Sequence, residues 1–181
     1  MNAFRRRYYS SPGEFWRDFR GLISNRAVIK EAMSGGGITA AFRERLMLVV
    51  TEVNGCRYCR SFHAPQAFKA GVSPEELQEL LSGLVPSGTP EEQQLALVYA
   101  RHWAENNANP DPVFRERIQD VYGAETARAI GIILRMIRMG NLLGNTWDYL
   151  LYRISFGRWG GVSGSSRTDQ VEKLSGEKSG E

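Results

Sequence analysis

Cysteine and histidine are scarce in this chain: 181 residues contain two of each. Two thiols cannot build a bridged scaffold, so stability has to come from a hydrophobic core. A long uninterrupted apolar run is also missing. The most apolar region, Ala129 to Leu151, is broken by Arg135, Arg138, Asn141, Asn145 and Asp148. That spacing excludes a bilayer-spanning helix. No apolar stretch follows Arg5-Arg6-Arg7, so a secretory signal is not expected. Segments that alternate apolar and polar residues between turn signals are absent too, which argues against strands. Ser34-Gly35-Gly36-Gly37 lacks the Lys-Ser/Thr of a phosphate loop, and no cofactor is expected.

Charge of one sign is also in short supply. The chain has 23 basic and 20 acidic side chains, a net +3. The surplus sits at the start, where Arg5, Arg6, Arg7, Arg17 and Arg20 face only Glu14 and Asp18. A nearly neutral body does not suit a nucleic-acid binder. Nucleic acid and membrane are therefore not expected partners. The triple-arginine run reads as a solvated basic arm, with contact to a phosphate or anionic lipid as the rarer possibility. A cytoplasmic location, with thiols kept reduced, is expected.

Helix signals are plentiful. Ser11-Pro12-Gly13-Glu14, Ser73-Pro74-Glu75-Glu76 and Thr89-Pro90-Glu91-Glu92 each offer a hydroxyl N-cap, a proline at the first helical position and a glutamate at the third. Asp111-Pro112 is a simpler start. Apolar residues recur at helical spacing, as in Phe42, Leu46, Val49, Val50 and Val53. The reading is all-α, with helices near 12–21, 25–33, 39–53, 56–70, 74–83, 90–107, 111–122 and 125–155. A basic arm over 1–11 precedes the helical domain of 12–159. A Gly/Ser/charged tail over 160–181 is expected to be disordered. The last helix is apolar on several sides, and Gly140 and Gly144 share one face of it. Contact between subunits is the favoured explanation, with a central core helix as the alternative.

The chemistry concentrates in Glu44 to His63. Both cysteines lie there as Cys56-x-x-Cys59, with His63 four residues further on. On a helix opened by Cys56, the two thiols and His63 share one face. A thiol at a helix N-terminus is stabilised as thiolate, and a histidine at i+4 can take a proton from Cys59. An oxidised thiol can then be resolved by its neighbour. Glu44 lies on a helix apolar on most sides and needs a partner, which His63 or a bridging water can supply. Glu52, beside the turn, reads as solvated. Pro65 should kink the helix, and a helix starting there would take His63 off the shared face. Two other readings of the pair are inert core and a zinc site of Cys56, Cys59, His63 and Glu44. His102, beside Trp103, reads as a packed or capping histidine.

Glu44, then Cys56-x-x-Cys59, then His63 resembles the signature of alkyl hydroperoxidase D-like proteins in the carboxymuconolactone decarboxylase-like family. Asn25-Arg26-Ala27-Val28 and the helix from Ala127 to Asn145 are similar to it as well, so the likeness covers about residues 20–155. It implies an all-α fold assembling as a homo-oligomer, a trimer or hexamer. It also implies a peroxiredoxin-type hydroperoxide reductase. By that resemblance Cys59 is the peroxidatic thiolate, Cys56 the more exposed resolving thiol, and His63 with Glu44 the proton relay. An external dithiol, on a lipoylated or thioredoxin-like protein, resets the disulfide. Tyr58 departs from the pattern, which has a histidine there; a phenol is a poorer base than imidazole at neutral pH. Three rival functions stand beside this one. They are a disulfide exchanger or redox sensor, a decarboxylase or lactone-type enzyme on the same fold, and a zinc-binding interaction module.

Overall fold

A computed structural model describes residues 4–35 and 37–161. Among these residues every regular element is a helix: α1 (Pro12–Ser24), α2 (Arg26–Met33), α3 (Ala40–Asn54), α4 (Arg57–Lys69), α5 (Pro74–Leu81), α6 (Glu91–Glu105) and α7 (Pro112–Ile154). The hydroxyls of Ser11, Thr39 and Ser73 accept from the backbone N–H three residues on, and the Asp111 carboxylate accepts from Val113 N. Each cap satisfies a donor that would otherwise lack a partner. Thr89 behaves differently from the expected box. The helix begins at Glu91 after an uncapped Pro90, and the Thr89 hydroxyl donates to Glu76 Oε1 at 3.1 Å instead. The two expected last helices are one long element broken only at Gly123, whose φ of 75° is non-helical.

Two helices form the centre. α3 packs on α4, α5, α6 and α7, and α7 packs on α1, α2, α3, α4 and α6. This explains why both are apolar on several sides. Leu46, Leu48, Val50, Leu97, Ile130, Ile133 and Leu134 are fully buried and belong to one continuous core. Each contributes about 1.5–3 kcal/mol of transfer free energy. The multi-sided apolar character of α7 is thus largely absorbed within the chain. In its C-terminal half, what remains exposed is a narrow stripe of Leu143, Trp147, Leu150 and Ile154.

One buried ion pair fixes α5 against α3. Arg45 Nε and Nη2 donate to the two carboxylate oxygens of Glu76 at 2.6 and 2.9 Å. Burial would raise the Glu76 carboxyl, but the Arg45 guanidinium and the Thr89 hydroxyl hold it below the usual carboxylate range.

The basic arm is only partly solvated: Arg5 is exposed, but Arg6 and Arg7 are held. Arg6 pairs with Asp148 on α7, and Arg7 donates to the carbonyls of Ala104 and Glu105 that end α6. Tyr8 stacks on Tyr149 with centroids 4.0 Å apart. The cause is the unpaired polar and aromatic surface that α6 and α7 offer it. Most of the tail expected to be disordered lies outside the described residues. Gly160 lies within them, is buried, and approaches the Asp148 backbone so closely that a Cβ there would collide with it.

Candidate functional site

The α3–α4 connection is two residues long. Gly55 adopts the left-handed conformation at φ 70° and ends α3, its N–H bonding to Thr51 O. Cys56 follows in extended conformation and serves as the N-cap of α4. Its sulfur takes the role a serine hydroxyl usually plays, accepting from Cys59 N at 3.3 Å. The expected helix thus starts one residue later than Cys56. Cys59 and His63 still fall one turn apart on it. Pro65 lies inside α4 without ending it, so His63 keeps its place.

The two sulfurs are 2.8 Å apart and share one thiol–thiol hydrogen bond. That hydrogen bond, with backbone N–H groups of Cys59 and Tyr58, outweighs burial and the Asp148 charge. It lowers the Cys56 thiol to about 7. Cys59 moves the opposite way. Its hydrogen bond with Cys56, burial and the neighbouring Cys56 charge push it well above the ordinary thiol range, against an Asn141 side-chain hydrogen bond that favours ionisation. The exposure order expected from the family resemblance is reversed. Cys56 is fully buried and Cys59 half-buried, because the Cys56 sulfur packs against α7 at Gly144.

His63 Nδ1 lies 2.8 Å from Glu44 Oε2, and Glu44 is buried. With Nδ1–H donated to the carboxylate, Nε2 is left as the basic nitrogen. Among the described residues no hydrogen bond joins His63 to either sulfur. The four expected site residues therefore form two couples, thiol with thiol and imidazole with carboxylate, linked by one turn of α4. Glu52 is not solvated as expected; its side chain is 4% exposed and paired with Arg60 at 2.5 Å. His102 accepts from Asp111 N at 3.1 Å and so helps hold the start of α7, as a capping histidine would.

Sequence reasoning missed what α7 supplies. Gly144 lets Cys56 approach: a Cβ there would stand 2.9 Å from Cys56 Sγ and 3.2 Å from Tyr58 Cδ2. At Gly140 the corresponding distance to Cys59 Sγ is 3.9 Å. The small face assigned to another subunit is occupied by α4 of the same chain. Asn141, fully buried, donates to Thr51 Oγ1 and accepts from Asn54 Nδ2, each at 3.1 Å. Asp148 is also fully buried. It accepts from the Tyr58 hydroxyl at 2.8 Å, from Arg57 at 2.7 Å and from Arg6 at 2.6 Å. Tyr58, at the departing position, therefore anchors α4 to α7. The interruptions in the apolar run of α7 were the signal that could have found these residues: Asn141, Asn145 and Asp148 all face inward. No group of three or more metal-ligating side chains converges among the described residues. Among the same residues no helix is long and apolar enough to cross a membrane.

Residues 25–101 match the model of the carboxymuconolactone decarboxylase family. A solved structure of similar fold is that of the debrominase Bmp8, a cysteine-to-alanine variant in complex with 2,3,4-tribromopyrrole. It shares 13% identity at a TM-score of 0.58, over 96% of this chain and 98% of that one. No curated protein matches the sequence.

Proposed function

Because residues 25–101 match the model of the carboxymuconolactone decarboxylase family and hold a paired-thiol site, we propose that this chain is a thiol-dependent hydroperoxide reductase. The observation that carries the reading is the unequal thiol pair beside a histidine–carboxylate couple. His63, held by Glu44, takes the Cys59 proton. The Cys59 thiolate attacks the distal oxygen of a hydroperoxide, giving Cys59 sulfenic acid and an alkoxide that recovers the proton from His63. The Cys56 thiolate then attacks the Cys59 sulfur, a disulfide forms, and hydroxide leaves to become water with a proton from solvent. Its lowered pKa suits Cys56 to that task. An external dithiol supplies two electrons and resets the pair.

The test is turnover of an organic hydroperoxide with dithiothreitol or dihydrolipoamide, with Cys59→Ser and Cys56→Ser as controls. Saturable turnover lost in Cys59→Ser is expected. Full turnover in Cys59→Ser refutes the assignment. A disulfide that exchanges with partners but gives no peroxide rate above free thiol would assign a disulfide exchanger instead. Release of bromide from a bromopyrrole in the same assay would move the reading toward the chemistry in the name of the structural neighbour.

The exposed stripe of Leu143, Trp147, Leu150 and Ile154, with Phe62 exposed on α4, supports a second part of the proposal. Copies of the chain cover this face and the protein works as a homo-oligomer.

A further inference from the structure

Residues 4–9 run across the corner where Cys56 sits. The Arg6 stem lies on Gly55, so close that a Cβ at Gly55 would meet its Cγ and Cδ at 3.1 and 3.2 Å. Its guanidinium reaches past the corner to Asp148 at 2.6 Å and to the Gly160 carbonyl. The rest of the segment is fastened to α7. Asn145 donates to Arg7 O at 2.9 Å, and Tyr9 N donates to Thr146 Oγ1 at 3.0 Å. Asp148 lies one helical turn beyond Gly144, the residue against which Cys56 Sγ packs. One carboxylate thus holds both ends of the seam: Arg6 from the strap, and Arg57 with Tyr58 from the helix that Cys56 caps.

We propose that Arg6 latches this strap onto Asp148, seals Cys56 from outside reagents, and so makes Cys59 the sulfur that an external thiol meets. The inference rests on the paired-thiol reading above and extends it to the reductive half of the cycle. A reductant thiolate attacks Cys59 Sγ and forms a mixed disulfide there, while the Cys56–Cys59 bond breaks and Cys56 leaves as thiolate. The second thiol of the reductant then attacks the mixed disulfide, is oxidised to a disulfide itself, and frees Cys59. Two electrons pass from the dithiol to the pair. The better leaving group and the sealed sulfur are the same atom, so access and leaving-group chemistry select one direction. The family resemblance makes Cys56 the more exposed thiol; the strap and the burial of Cys56 reverse that order.

The test uses single-thiol proteins, Cys59→Ser and Cys56→Ser, each with and without Arg6→Ala. Alkylation by iodoacetamide and by a bulkier maleimide is followed by mass at neutral pH. Each single-thiol protein lacks the partner sulfur that sets the two pKa values apart, so access is read from the rate of each thiol with and without Arg6. In the latched proteins Cys56 should be labelled about tenfold more slowly than Cys59, and Arg6→Ala should restore about tenfold at Cys56 while leaving Cys59 unchanged. Asp148→Asn should release Cys56 in the same way, and Arg6→Lys should keep it slow. Equal Cys56 rates with and without Arg6, or faster Cys56 labelling in the latched protein, overturn the proposal. Labelling needs no peroxide turnover, so loss of the peroxidase reading alone would leave these rates as stated.

Discussion

Gly144→Ala sets a helix gain against a collision at the site. Replacing glycine by alanine inside a helix contributes about 1 kcal/mol of stability. At Gly144, however, the new Cβ would stand 2.9 Å from Cys56 Sγ and 3.2 Å from Tyr58 Cδ2. Both neighbours must retreat, and overpacking of this kind costs about 1–3 kcal/mol. The net expectation is a loss of about 0–2 kcal/mol, or a few degrees in Tm at about 2–4 °C per kcal/mol. The larger effect falls on chemistry. Cys56 Sγ accepts from the backbone at the start of α4, and displacement lengthens those bonds and raises its pKa above about 7. Gly140→Ala is the internal control. Its Cβ would lie in ordinary contact, 3.9 Å from Cys59 Sγ, so the helix gain of about 1 kcal/mol should appear in full. Thermal denaturation and thiolate absorbance against pH, read on both variants, decide the matter. If Gly144→Ala is stabilised as much as Gly140→Ala and its thiol titrates unchanged, the close packing of Cys56 on α7 is wrong.

Glu44→Gln should leave the fold intact and lower peroxide turnover about 10²- to 10⁴-fold, since it removes the charge that orients and supports His63; steady-state kinetics with circular dichroism check this. Cys56 titrates near 7 when folded and near 8.5 when unfolded. The stability it contributes is therefore complete above about pH 8.5 and lost as pH falls through about 7. Denaturant midpoints of the parent and Cys56→Ser should diverge across that window and converge below it. Arg45→Ala leaves the buried Glu76 charge unpaired and should cost about 3–5 kcal/mol in chemical denaturation. Trp147→Glu should shift the protein toward monomer in light scattering, as its stripe is exposed in the isolated chain; an unchanged mass would remove that face from any assembly.

Local signals carried the helices well. Ser11, Ser73 and Asp111 cap where their spacing predicts, because capping depends only on neighbours a few residues away. The closeness of Cys56 to Cys59 was legible for the same reason, and burial of Glu44 followed from its apolar helix. Partners distant in the chain were not legible. Nothing near Thr89 announces that Glu76 will take its hydroxyl, and nothing near Arg6 announces Asp148. The exposure order of the thiols failed on the same ground. It depends on Gly144 and the arm, both far from Cys56 in sequence, and on a one-residue difference in where α4 begins.

The strap also ties together the two ends of the folding process. Arg6 bonds a residue 142 positions away, Arg7 one 138 away and Tyr9 one 137 away. Such contacts have high loop-closure cost and form late. During synthesis residues 6–9 must wait for α7 before they find their place. Both cysteines are synthesised well before Asp148, so the thiols are open throughout assembly. The cover over Cys56 is completed only when α7 has docked.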